Sequence, residues 1–335
     1  MFPQSRLFRK LSPYRNFLFV MFLWCLSPPS IKAQSLRDES ITDPQEIVQR
    51  ARAQSVHYSE EFRNLLTTET KTFNIYDKGS ELKKHRVVVS NFLVYDLSST
   101  KSAITEFRHV LSVDSTPVAN ASDRAVQLFE KVSKASNTSK EFERIQKESL
   151  RFDPEIKMYG LTLFQAIALN ERIRDVMKFT LSGTARVGNT KAYILQFEQI
   201  RESPYISAGH NSGDPNGVLD YEFDSSGPAG PRIKGTLWVD TKTFQIVREV
   251  RTLTVQPKGF TRPAVLTSSE FEFDESKYGI RTPKHIAHTE YRINKDHGSK
   301  YIEIIFDYSE FTRPDVEVIP ENHRSLLIVP LRYFP

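Results

Sequence analysis

The second half of this chain alternates, and the alternation constrains the fold more than any other feature. Between Lys300 and Phe311, the residues Ile302, Ile304, Phe306 and Tyr308 recur at every second position, with Glu303 and Asp307 between them. Phe271 and Phe273 alternate likewise with Glu270, Glu272 and Asp274. A period of two puts the apolar side chains on one face of an extended strand and the charges on the other. Such strands need a sheet with one covered and one wet face, which antiparallel pairing accepts.

Turn residues cut the chain into hairpins. Val176–Val187 and Lys191–Arg201 flank Gly188-Asn189-Thr190, and Ile233–Asp240 and Phe244–Val255 flank Thr241-Lys242-Thr243. Val265–Asp274, Lys284–Ile293 and Lys300–Phe311 form a meander with its last turn at Asp296-His297-Gly298. Thr67–Tyr76, Lys83–Leu97 and Ala103–Val113 predict three earlier strands, the first two joined by Asp77-Lys78-Gly79-Ser80.

Helices are expected in four places. The first runs over 44–63, with Asp43 as cap, Pro44 in the first position and Glu46 reaching back as in a capping box. Ile47, Val48, Ala51 and Ala53 would be its apolar stripe. Two more follow at Arg124–Ala135 and from Ser139 through Phe142, Ile145 and Leu150. The last, LFQAIAL over 163–169, has so little polar surface that it must be buried or lie against something apolar. The fold class is α+β. Residues 202–232 break the pattern with Gly, Pro, Ser, Asn and Asp, which predicts a disordered or functional loop that Tyr205, Tyr221 and Phe223 would dock.

The N-terminus predicts an address. Arg6, Arg9, Lys10 and Arg15 precede an unbroken apolar run, Phe17–Leu26, which Pro28 and Pro29 end. This pattern predicts a Sec-type signal peptide over 1–35, cleaved near Ala33 to Ser35, and a periplasmic or secreted protein. The run is too short for an ordinary membrane span. Cys25 follows Leu23 and Trp24 rather than small residues, so no lipid anchor is expected there. The whole chain carries 46 Lys and Arg against 41 Asp and Glu, a net charge of +5. Five of the bases lie in the first 35 residues, which hold no acid, so 41 remain against 41. The basic balance that suggests nucleic acid therefore belongs to the address, and no nucleic-acid partner is expected. The single cysteine lies there too, which excludes a disulfide framework.

Motifs that carry chemistry are absent. No phosphate-cradling Gly-rich loop, nucleophile elbow or HExxH helix occurs. His285 and His288 would point to opposite faces of a strand, so no shared metal is expected. His109 suits a hydrogen-bonded structural histidine, and Lys83-Lys84-His85-Arg86 a solvated strand start. No enzyme activity, cofactor or metal is predicted. A Ser–His–Asp site assembled from distant segments is the one catalytic alternative, because triads are recognised by geometry.

Two stretches carry a resemblance. GTARVGNTKAYILQFE, from Gly183, is followed after the loop by GTLWVDTKTFQIVREV, over Gly235–Val250. A strand of Gly-x-hydrophobic-Trp-hydrophobic-Asp, a short turn and an Ile-x-Arg strand resembles the LolA-type superfamily of periplasmic lipoprotein carriers. Phe107–Phe152 resembles a block found in secreted bacterial proteins of unknown function. The first resemblance implies a strongly curved, open half-barrel of antiparallel strands with helices covering the concave face. It implies one such domain over 36–320, with the 202–232 insertion and a tail over 321–335.

The leading expectation is a non-enzymatic extracytoplasmic protein that holds a lipid, an acyl chain (including that of a lipoprotein) or another apolar ligand in the concave face. Its candidate lining residues are Phe164, Ile167, Tyr193, Leu195, Phe197, Trp238, Phe271, Phe273, Ile304 and Phe306. Taken singly, each of these is first read as plain core. The alternative is an envelope protein-interaction or regulatory module, motivated by the 202–232 loop and the apolar ending Ser325–Pro335.

Overall fold

A computed structural model describes residues 42–63, 65–96, 104–124, 127, 144–145, 147–152, 161–163, 165–208, 219–221, 229–293 and 298–313. The signal segment, the tail, Phe164, most of the two expected helices after residue 121 and the turn before Gly298 lie outside them. Within the expected helices, Arg124, Gln127, 144–145 and 147–149 are described as helical.

One sheet dominates. Its strands are β1 (Leu66–Tyr76), β2 (Leu82–Asp96), β3 (Ile104–Val113), β4 (Thr116–Pro117), β5 (Met177–Val187) and β6 (Thr190–Gln199). After the interruption come β9 (Ala229–Asp240), β10 (Ile246–Gln256), β11 (Ala264–Glu275), β12 (Arg281–Ile293) and β13 (Gly298–Tyr308), with β7 (Ile206–Ala208) and β8 (Leu219–Tyr221) inside the interruption. The eleven sheet strands run in the order β4-β3-β2-β1-β13-β12-β11-β10-β9-β6-β5, every pair antiparallel. The sheet is open, with β4 and β5 at its edges, as the half-barrel expectation requires. β13 pairs with β1, so the two ends of the described chain meet mid-sheet.

The short β7 and β8 pair in parallel, with Ile206 buried and Tyr205 packed against the core. The 202–232 segment is therefore structured where it is described, and β9 begins at Ala229 rather than Ile233.

Helix α1 (Pro44–Glu61) starts as expected, with Asp43 accepting the Gln45 amide. Glu46 departs from the capping box and pairs forward with Arg50, one turn on. The buried stripe is Ile47, Val48, Ala51 and Tyr58, while Ala53 faces water. Spacings of three, four and seven keep those residues on one side of a helix, and Ala53 falls off that side. Tyr58 and Phe62 stack at 4.7 Å, Tyr58 meets Phe273 edge-on, and Phe62 meets Phe311. These contacts seat α1 on the apolar face, here called the inner face.

The expected 163–169 helix is not an α-helix. Only a 3-10 turn forms over Ile167–Leu169, followed by another over Glu171–Val176. Burial is nonetheless as expected: Ala166, Ile167, Ala168 and Leu169 are all sealed. Anchoring by single side chains to the sheet replaces regular backbone pairing there.

The inner face is not uniformly apolar. One cross-strand row reads Leu195, Leu237, Glu249, Phe271, Ile286, Phe306, Lys71 and Val88. The next reads Phe197, Gly235, Arg251, Ser269, His288, Ile304 and Phe73. Nor is the other face wet throughout. On β2 and β3, Asn91, Leu93, Phe107 and His109 are buried on that second face.

Candidate functional site

The inner face brings together most of the expected lining. Ile167, Tyr193, Leu195, Phe197, Phe271, Phe273, Ile304 and Phe306 all belong to one buried cluster. Phe271 and Phe273 stack at 6.5 Å, and Phe179 packs on Phe197. Trp238 lies apart from them. Leu237 and Val239 are buried on either side of it, so strand alternation turns Trp238 to the outer face, where the Arg248 guanidinium lies 4.8 Å from its ring. Phe164 lies outside the described residues.

Two buried ionic clusters interrupt this apolar surface. The first is closed. Arg108, on β3, donates from Nε and Nη2 to the two oxygens of Glu69 at 2.7 and 2.9 Å, and from Nη1 to Glu106 at 3.0 Å. Glu106 Oε1 also accepts the Thr162 amide and hydroxyl, at 2.9 and 2.7 Å. Tyr58 Oη donates to the Thr162 carbonyl at 2.6 Å. Burial works to lower the Arg108 pKa, and the Glu69 and Glu106 carboxylates outweigh it and hold the guanidinium firmly charged. Thr162 is thus clipped between sheet and helix. Ser149 caps the Arg108 amide, a backbone donor near the short β4 edge.

The second cluster is loosely paired. Glu249 is fully buried, at 0% exposure, and its nearest partner is Arg251 Nη1 at 3.4 Å from either oxygen. Burial pushes the Glu249 carboxyl up, against the opposing pull of Arg251. The Arg251 guanidinium lies 4.4 Å from the Phe271 ring centre. Opposite Arg251 on β11 stands Ser269, and opposite Ser269 on β12 stands His288. Ser269 Oγ and His288 Nδ1 are 2.8 Å apart, whereas the buried His288 Nε2 makes no hydrogen bond. Glu290 Oε1 lies 3.7 Å from that nitrogen. The arrangement is not a hydrolytic triad in the usual order, because the serine meets Nδ1 rather than Nε2.

The carrier-like motif has a structural reason at each position. A Cβ on Gly235 would stand 2.0 Å from the Val250 carbonyl oxygen and 2.7 Å from Phe197 Cζ, so only glycine fits that close crossing. Asp240 Oδ1 accepts the Lys242 and Thr243 amides and closes the hairpin turn. Its Oδ2 takes Arg281 Nη2 at 3.0 Å, tying that turn to the start of β12. Burial alone would raise the Asp240 carboxyl, but the Lys242 amide and Arg281 more than offset it and hold the group below its usual range.

His285 and His288 do point to opposite faces: His285 pairs with Asp307 at 2.7 Å on the outer one. His109 is buried, and its Nδ1 lies 3.5 Å from Asn91 Nδ2. Burial holds its imidazole below the ordinary value. Among the described residues, no group of His, Cys, Asp and Glu is placed to hold a metal ion. Among them, too, no helix is long and apolar enough to cross a membrane. A groove of about 370 Å³ opens on the outer face between Lys178, Gln196, Glu198 and Lys234.

The residues that sequence reasoning missed are Glu69, Glu106, Arg108, Glu249, Arg251 and Ser269, and His288 was named only in setting aside a metal. A signal was present on β10, where Glu249 and Arg251 share strand parity with Val247, Leu253 and Val255. Counting parity through the charged residues places them inside.

No protein-family model matches the chain, and no curated protein sequence does. Among solved structures, the chain is similar to a LolA superfamily protein from Nitrosomonas europaea, at 11% identity and TM-score 0.32, over 82% of this chain and 95% of that one. It is similar to a DUF1329 family protein from Desulfovibrio piger, at 11% identity and TM-score 0.32, over 83% and 96%. A third match is a putative outer membrane lipoprotein-sorting protein domain from Vibrio parahaemolyticus, at 9% identity and TM-score 0.35, over 83% and 94%. At such identities and scores these matches carry no argument.

Proposed function

We propose that this is a non-enzymatic extracytoplasmic binding protein that holds a lipid, an acyl chain or another apolar ligand between the inner face of the sheet and the segment laid over it. The observation that carries the reading is the nature of that cover. Thr162 and Gln165 to Leu169 are buried, with Leu161 and Leu163 packed against the apolar cluster, yet among the described residues their regular structure is a single 3-10 turn. Side-chain bonds tie them down: Tyr58 and Glu106 to Thr162, Gln165 to the Arg281 carbonyl, and Arg52 to the Leu169 carbonyl. A cover held at separate points can lift without unpairing a strand or unwinding a long helix. Lifting it would expose Tyr193, Leu195, Phe197, Phe271, Phe273, Ile304 and Phe306 to a ligand, with Ile167 contributed by the cover itself.

Native mass spectrometry on protein purified without detergent tests this, alongside titration with a fluorescent acyl probe. The expected result is a retained or added acyl ligand at one per chain. A ligand-free mass together with no probe binding would overturn the reading and leave the envelope-interaction alternative. That alternative rests on the 202–232 segment, described only in part, and on the 325–335 ending, which lies outside the described residues.

A further inference from the structure

We infer that the ligand of the inner face is amphipathic and anionic, and that Arg251 and His288, the latter oriented by Ser269, receive its carboxylate at the centre of the sheet. The inference rests on the binding role proposed above and adds the chemical class of the ligand. These three residues stand directly opposite one another on three adjacent strands. Adjacent strands lie about 4.8 Å apart, so Arg251 and His288 sit about 10 Å apart at the backbone, with Ser269 between them.

Neither of the two outer groups is closely paired throughout. Arg251 reaches Glu249 through Nη1 at 3.4 Å, and its side chain keeps 11% exposure. The 2.8 Å contact fits a Ser269 hydroxyl donated to Nδ1, and in that tautomer the His288 proton stands on Nε2, the atom that makes no hydrogen bond. A buried donor without a partner is costly, and native interiors rarely leave one without a role. The same molecule pairs Arg108 at 2.7 to 3.0 Å on all three of its bonded nitrogens.

The groups nearby do not fill the gap. Glu249 contacts Arg251 only at 3.4 Å, and burial pushes its carboxyl up against the pull of Arg251. Glu290 lies 3.7 Å from His288, beyond hydrogen-bond distance. A planar carboxylate matches the guanidinium fork, and its second oxygen can take the imidazole N–H. Phe271, Ile286, Ile304 and Phe73 border the island on the inner face, beside the polar Glu249, Thr267 and Glu290. The apolar part of that border suits the chain of the same ligand.

The test compares hexadecanoate, hexadecanol and methyl hexadecanoate as competitors of a fluorescent acyl probe on the intact protein. The acid is expected to displace the probe about tenfold more strongly than the alcohol or the ester, the scale of one charge-assisted contact. Arg251→Gln is expected to bring that ratio close to one, as is His288→Gln in smaller measure. Arg251→Lys, which keeps the charge and loses the fork, should fall between. If the three competitors act equally on the wild type, the anionic inference is overturned while the apolar-ligand reading stands. If neither the probe nor any of the three binds, both fall.

Discussion

The two buried ionic clusters of the inner face differ in one respect that separates structure from binding. Around Arg108, every charge meets a partner at 2.7 to 3.0 Å, and the surplus oxygen of Glu106 is used to clip Thr162. Around Arg251, the one ion pair is 3.4 Å long and an imidazole nitrogen is left bare. Both lie on the same face of the same sheet, with the Arg251 side chain 11% exposed against 3% for Arg108. A closed cluster fixes the cover to the sheet. An open one keeps its donors for something else.

That contrast can be broken by mutation, and the largest effect belongs to the closed side. Arg108→Met leaves Glu69 and Glu106 buried without their cation and should cost about 3–5 kcal/mol in chemical denaturation. A loss below about 1 kcal/mol would mean that the cluster is not what holds the region together. Thr162→Val keeps the shape and removes one bond to Glu106, and Tyr58→Phe removes the bond to the Thr162 carbonyl. Each should cost about 1–2 kcal/mol and should loosen the 161–169 segment in hydrogen exchange.

On the open side the effects are smaller and one changes sign. The folded Glu249 carboxyl titrates above its unfolded value of 4.5, so the native state holds a proton that the unfolded chain has released. Stability from this group is therefore lost as pH rises from about 4.5 towards the raised folded value. Glu249→Gln should remove that slope and leave the protein at neutral pH roughly 1 kcal/mol more stable than wild type, read from denaturation at several pH values. A wild type whose stability rises across that window would contradict the account. Arg251→Met should cost less than Arg108→Met, because it takes the cation from one carboxylate held at 3.4 Å rather than from two held at 2.7 to 3.0 Å. A loss as large as that of Arg108→Met would erase the distinction between the clusters.

The strands were legible because their signal is local. Alternation in Ile302–Tyr308 and Phe271–Asp274, and turn residues such as Asp77-Lys78-Gly79-Ser80, located strands to within a few residues. The hairpin at Asp240 was legible for the same reason, since a short side chain closing its own turn involves neighbours in sequence. The 163–169 segment shows the limit. Its composition announced burial correctly, but its backbone form depends on where Thr162, Gln165 and Leu169 find partners more than 50 residues away. Trp238 shows another. Its motif marked it as notable, and only the strand parity of Leu237 and Val239 sends it to the outer face.

By itself, then, the sequence determined that this chain builds an antiparallel sheet with a covered apolar face, because residue alternation and turn chemistry act over a few positions. It did not determine which charges that face would seal in. Glu69 and Arg108 stand 39 positions apart, and Ser269 and His288 stand 19 apart. Whether a buried charge is satisfied depends on cross-strand register, and register is settled only when the whole sheet assembles.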